Sequence, residues 1–171
     1  MKNFIKTISI YKSIVLTTMI MFFILCYPIF TLVEELPTEE AYFQGVHLLE
    51  IEKNYDEALQ IFKKILGKNP NHAEAHFQMG NIYRQMELPE KAKIYYQNAI
   101  NLKTDYLSAY YYLGITELDL EEYFNALDTF KETIRLDPEF AEAHYGLGLT
   151  FLKLGQFINA CESFQQSLRL N

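Results

Sequence analysis

The sequence predicts an all-α protein: one apolar helix near the N-terminus, then four helix pairs stacked on one another. Two features of the 171 residues carry this expectation. Gly80, Gly114 and Gly148 stand 34 residues apart, and Ala58, Ala92, Ala126 and Ala160 share that period. A fixed period of this length marks a chain of supersecondary units, each burying its apolar face on the next. The second feature is residues 14–33, which carry no charge and are mostly large and apolar.

Residues 1–13 form a basic start with Lys2, Lys6 and Lys12. Residues 14–33 follow as a transmembrane helix or signal anchor, because about 20 helical residues span a bilayer core. Pro28 lies near its far end, where membrane helices tolerate proline. Glu34 and Glu35 come next, so the positive-inside rule puts the repeats on the non-cytoplasmic side. A cleaved signal peptide also fits the basic start and apolar middle, although no small-x-small cleavage site stands out. Residues 34–38 are a short linker in which Thr38 is expected to cap the first repeat helix, with Glu39 and Glu40 at its positive end.

The repeats fall in blocks 39–72, 73–106, 107–140 and 141–171, each read as two helices and a turn. A glycine inside a helix costs roughly 1 kcal/mol against alanine, so a periodic glycine needs a reason. Close approach of a neighbouring helix is one. The alanines serve the same contact from the second helix. Four residues after each alanine, on the same helix face, comes a ring: Phe62, Tyr96, Phe130 and Phe164. Asn69-Pro70 and Asp137-Pro138 read as a capping side chain before a proline in the first helical turn, and Asp105 as a cap without one. The first block carries Val46 where the others have glycine.

These residues resemble the tetratricopeptide repeat (TPR) family. His76-x2-Met79-Gly80-x2-Tyr83 with Ala92-x3-Tyr96 is one copy of its pattern. Tyr110-x2-Leu113-Gly114 with Ala126-x3-Phe130 and Pro138 is another, and His144-x2-Leu147-Gly148-x2-Phe151 with Ala160-x3-Phe164 a third. His or Tyr replaces the family's tryptophan, Thr104 its closing proline, and Glu117 its aromatic. The resemblance implies a right-handed α-solenoid whose concave face, built from the first helix of each pair, binds protein or peptide segments. It places Phe43, Phe77, Tyr111 and Tyr145 in one row of that groove, and His47, Asn81, Ile115 and Leu149 in the next. Glu50, Arg84, Leu118 and Leu152 follow, bordered by Glu40, Glu74 and Glu142. Rings supply contact area at little entropic cost. Asn81 and Arg84 are suited to fixing a bound backbone or carboxylate. The lysine-rich clamp of TPR domains that hold chaperone tails is not matched, because Phe43, Phe77 and Tyr111 occupy the lysine positions.

Net charge is −7, and all 22 acidic residues follow residue 33. An acidic array repels phosphate backbones, which argues against nucleic acid. His72 and His76 have metal-ligand spacing but no third ligand, so no metal or other cofactor is expected. Phosphate loops, nucleophile elbows and zinc motifs are absent from the sequence, and no enzymatic role is expected. Cys26 and Cys161 form no disulfide framework, and Cys161 is expected in the core. The last helix offers Asn159, Glu162, Gln165, Gln166 and Arg169 as a solvated outer face; the alternative is self-association, or a partner, on this C-terminal helix. The sequence thus suggests a membrane-anchored scaffold, plausible as an assembly factor for a membrane complex. In layout it is similar to TPR proteins that assist photosystem I assembly in plastid and cyanobacterial thylakoids. An exported (periplasmic) binding module released by signal cleavage is the other expectation.

Overall fold

A computed structural model describes residues 38–170. The basic start, the expected membrane helix at 14–33 and Cys26 lie outside the described residues. Within them, eight α-helices run α1 (Thr38–His47), α2 (Tyr55–Lys68), α3 (Ala73–Gln85), α4 (Pro89–Leu102), α5 (Leu107–Asp119), α6 (Tyr123–Leu136), α7 (Ala141–Lys153) and α8 (Phe157–Leu170). A π-helical segment, Leu48–Glu52, extends α1. Consecutive helices pack on one another from α2 to α8, and α5 also meets α7. The helices therefore form four hairpins stacked in chain order. No helix among the described residues is long and apolar enough to cross a membrane.

Close approach explains the periodic glycines. A Cβ on Gly80 would lie 2.5 Å from the Tyr96 ring, one on Gly114 2.9 Å from Phe130, and one on Gly148 2.6 Å from Phe164. Each of these glycines lets the first helix of a hairpin rest on the ring of the second. Phe130 is also met from the next hairpin, where a Cβ on Gly146 would come within 2.5 Å. Phe62, Tyr96 and Phe130 have no exposed surface, and neither do Ala58, Ala92 and Ala126.

The first hairpin has a different register from the one expected. Its contact glycine is Gly45, whose Cβ would lie 2.8 Å from Phe62; Val46 is not in that place. The glycine thus comes one residue early, and the π segment takes up the extra residue before α2. A π-bulge does this because its i→i+5 bonds fit one more residue into a turn.

The turns repeat as well. Lys53, Glu87, Glu121 and Gly155 all have left-handed backbone, with φ of 56°, 58°, 60° and 73°. One such residue reverses the chain within each hairpin, and only the last is glycine. The expected caps lie elsewhere. Asn69 and Asp137 close turns upstream, accepting from the amides of Asn71 and Glu139. The N-cap of α3 is His72, whose Nδ1 accepts from the Ala75 amide. Tyr106 and Phe140 hold the N-cap positions of α5 and α7 without a side-chain cap bond, so Asp105 does not cap. Thr38 lies within α1 itself. His76 and His144, in place of the family tryptophan, each donate from Nε2 to a proline carbonyl, Pro70 and Pro138, at 2.9 Å. His72 and His76 are thereby committed to the backbone.

Candidate functional site: the first-helix face and the open end of the array

The residues expected to line one groove divide into three groups. Phe77 is buried among Tyr96, Tyr106 and Tyr112, with ring centroids 5.1–5.8 Å away. Tyr111 is half-buried, edge-on to Tyr112, Phe130 and Phe140. Ile115 and Leu118 pack on the core around Phe130. This first group is largely used in joining one hairpin to the next.

Asn81 and Arg84 form the second. Asn81 sits in a relay: the Tyr96 hydroxyl donates to its Oδ1 at 2.8 Å, and its amide donates to Gln78, which donates on to the Tyr42 hydroxyl. Burial pushes the Tyr96 hydroxyl well above the usual tyrosine range, with Arg84 opposing the shift, so it stays a donor. The Arg84 guanidinium lies 5.1 Å over the Tyr112 ring. Its Nε is buried and has no hydrogen-bond partner among the described residues. Together with Glu50, Lys53, Tyr55, Asn81 and Gln85 it lines a cleft of about 150 Å³.

The third group is open. Tyr145 and Leu149, with Leu152, line a cavity of about 600 Å³ completed by Tyr111, Glu142, Phe164, Ser167 and Leu168. Tyr145 is 53 % exposed and Leu168 77 % exposed. Phe43 and His47 stand outside both clefts. Phe43 is 69 % exposed and His47 pairs with Glu52 at 3.1 Å. The displaced register of α1 is the reason: Tyr42 occupies the place that Phe77 and Tyr111 hold later.

A ring series that the motif pattern does not contain joins the hairpins. His72 stacks on Tyr42 at 5.6 Å, Tyr106 lies 5.1 Å from Phe77, and Phe140 lies 5.2 Å from Tyr111. The three incoming rings stand 34 residues apart, each at the N-cap of the next first helix. That period was the available signal. Cys161, expected in the core, is exposed on α8. Its equivalents Leu59, Lys93 and Leu127 are half-buried within the stack, whereas no helix among the described residues follows α8. Asn159, Glu162, Gln165 and Arg169 are exposed as expected, but so are Phe157 and Ile158.

Tetratricopeptide repeat profiles match residues 48–105 and 141–171, and a TPR repeat profile matches 116–155. The chain is a TPR protein. A search of the curated proteins found no match. Among solved structures, a MamA crystal structure is 28 % identical over 70 % of this chain and 70 % of its own, with a TM-score of 0.68. MamA from Desulfovibrio magneticus RS-1, from residue 41 to its end, is 24 % identical with a TM-score of 0.72, covering 78 % of this chain and 75 % of that one. YrrB, a TPR protein with an unusual peptide-binding site, is 22 % identical with a TM-score of 0.71, covering 79 % and 69 %. The last two likenesses show a common fold. This TPR array therefore joins the solenoids, with Arg84 in a polar cleft at its N-terminal half and an apolar opening at its C-terminal end.

Proposed function

We propose that this protein is a membrane-anchored TPR scaffold that holds segments of other proteins and assists assembly of a membrane complex. Arg84 carries the reading. Its guanidinium lies over the Tyr112 ring and lines a polar cleft, where it is suited to pairing with a partner's carboxylate or backbone carbonyl. Asn81 lines the same cleft, and Leu49 and Tyr112 supply its apolar wall. The peptide-binding site of YrrB supports the same use of the fold. Residues 14–33, with lysines before and glutamates after, support a single-pass anchor with the array on the non-cytoplasmic side. A thylakoid setting and photosystem I assembly are the narrower form of this proposal, supported by layout. The proposal includes no catalytic role.

The test is cross-linking in native membranes followed by mass spectrometry, with Arg84→Ala beside the wild type. We expect the substitution to lower recovery of a stoichiometric partner while helical circular dichroism is kept. Equal recovery from a folded Arg84→Ala protein would overturn the role given to this face. Phe77 is unsuited to the experiment, since removing a buried ring costs about 3–5 kcal/mol. Periplasmic release after signal cleavage is the second reading, favoured by the same basic start and apolar run. It requires a mature chain lighter by roughly 3 kDa, the mass of a typical signal peptide.

A further inference from the structure

Three times in this array a helix docks on the hairpin before it, and the three docked helices share one pattern. Each begins with a ring at its N-cap, then alanine three residues on, then leucine or methionine four further: His72-Ala75-Met79, Tyr106-Ala109-Leu113 and Phe140-Ala143-Leu147. The ring lies on a ring of the preceding first helix. The alanine has no exposed surface in any of the three. The small residue is required because the helix backbone must come close to the preceding hairpin.

α7 and α8 present the same seat, which no helix covers among the described residues. Tyr145 stands where Phe77 and Tyr111 stand, and Phe164 where Tyr96 and Phe130 stand. Phe62, Tyr96 and Phe130 are fully covered, whereas Phe164 retains exposed surface. Leu66, Ile100 and Ile134 are partly buried, yet their equivalent Leu168 is 77 % exposed. The opening of about 600 Å³ between Tyr145, Leu149, Leu152, Phe164 and Leu168 lies where a fourth docked helix would enter. Charge adds a further requirement. At the second seat, Lys103, three residues before Tyr106, approaches Glu74 at 3.9 Å. Glu142 stands at the equivalent place on the rim of the open seat.

We propose that this open end is a fourth seat that takes an α-helix of a partner protein, with a basic residue, an aromatic N-cap, an alanine and a leucine or methionine at the spacing Lys-x2-aromatic-x2-Ala-x3-Leu/Met. A second copy stacked head to tail does not meet the requirement: in the register set by Gly45, the first hairpin brings Pro37, Glu40 and Gln44 at those spacings, with no ring, alanine or leucine. The inference rests on reading the array as a protein-binding scaffold, but it uses residues separate from the Arg84 cleft.

The probe is a fluorescein-labelled peptide of residues 103–119, the natural occupant of the second seat, titrated into the full chain in detergent micelles and read by anisotropy. A photoreactive group at its Ser108 position maps the contact. We expect saturable binding, cross-links to α7 and α8, and affinity reduced about tenfold or more by Leu168→Glu, the fold-change expected for losing one buried leucine. Leu168 is exposed, so this substitution leaves the fold intact. Arg84→Ala should leave peptide binding unchanged, which separates failure of the cleft from failure of the seat. Absence of saturable binding, or affinity indifferent to Leu168→Glu, would overturn the proposal. So would sedimentation of the chain alone as a dimer that Leu168→Glu dissociates, because a second copy would then fill the seat.

Discussion

Glu117 shows how one residue departs from its family's pattern at a physical cost. It stands in place of an aromatic, is 3 % exposed, and is held by the Thr129 hydroxyl at 2.7 Å. Burial pushes its carboxyl above the usual glutamate range; Thr129 and Lys93 pull it down, while Glu122 and Asp128 push it up. A carboxyl with a folded-state value above its unfolded one binds its proton more tightly when folded. Its stabilising contribution is therefore complete below the ordinary glutamate value and is lost as pH rises through the raised one. Glu117→Gln keeps an acceptor for Thr129 and removes the titration. The melting temperature of Glu117→Gln minus that of the wild type should thus increase from acid to neutral pH. A difference independent of pH would refute the account. Nearby Glu122 has the opposite sign: Lys93, then Asn125, hold its carboxyl below the usual range. The difference between variant and wild type isolates Glu117 from it.

At the scale of the helices, the array is built on small residues meeting rings. Gly80 and Gly67 both lie in helices but have different surroundings. A Cβ at 80 would lie 2.5 Å from the Tyr96 ring, while one at 67 would meet nothing within 4 Å. Gly80→Ala should lower stability by about 1–3 kcal/mol, since overpacking outweighs the gain in helix propensity. Gly67→Ala should raise it by roughly 0.5–1 kcal/mol. Thermal melts of the two variants check both signs. The helix contacts were legible in the sequence because Gly80, Gly114 and Gly148 recur in register. The first contact was not. Gly45 is one residue out of period, and the sequence does not reveal that a π turn restores the spacing. The caps were misplaced for a related reason. Asn69 and Asp137 use their side chains in turns of their own, which a capping pattern does not distinguish from a helix start.

Across the whole array, stability is the sum of hairpins and the interfaces between neighbours. α4 is packed on both sides, by α3 and α5, whereas the main packing of α8 is on α7. Hydrogen exchange should therefore be slower in α4 than in α8, with end amides opening at lower free energy. Equal protection in the two helices would contradict a nearest-neighbour array. The same asymmetry separates the candidate sites. Phe77 and Tyr111 were expected in an open groove, yet the following hairpin takes up most of their surface. Tyr145, the same position one repeat later, is left open.

The sequence by itself determined the repeat, its 34-residue period, the helix pairs and the ring that fills each pair, because these follow from which residue types recur at which spacing. It could not say which copies of a repeated position are covered. That is a property of neighbours: an identical ring is core when a helix follows it and surface when none does. Only the tertiary structure decided that Arg84 Nε is buried without a partner among the described residues, that Cys161 faces outward, and that the last hairpin's apolar opening is left uncovered among them.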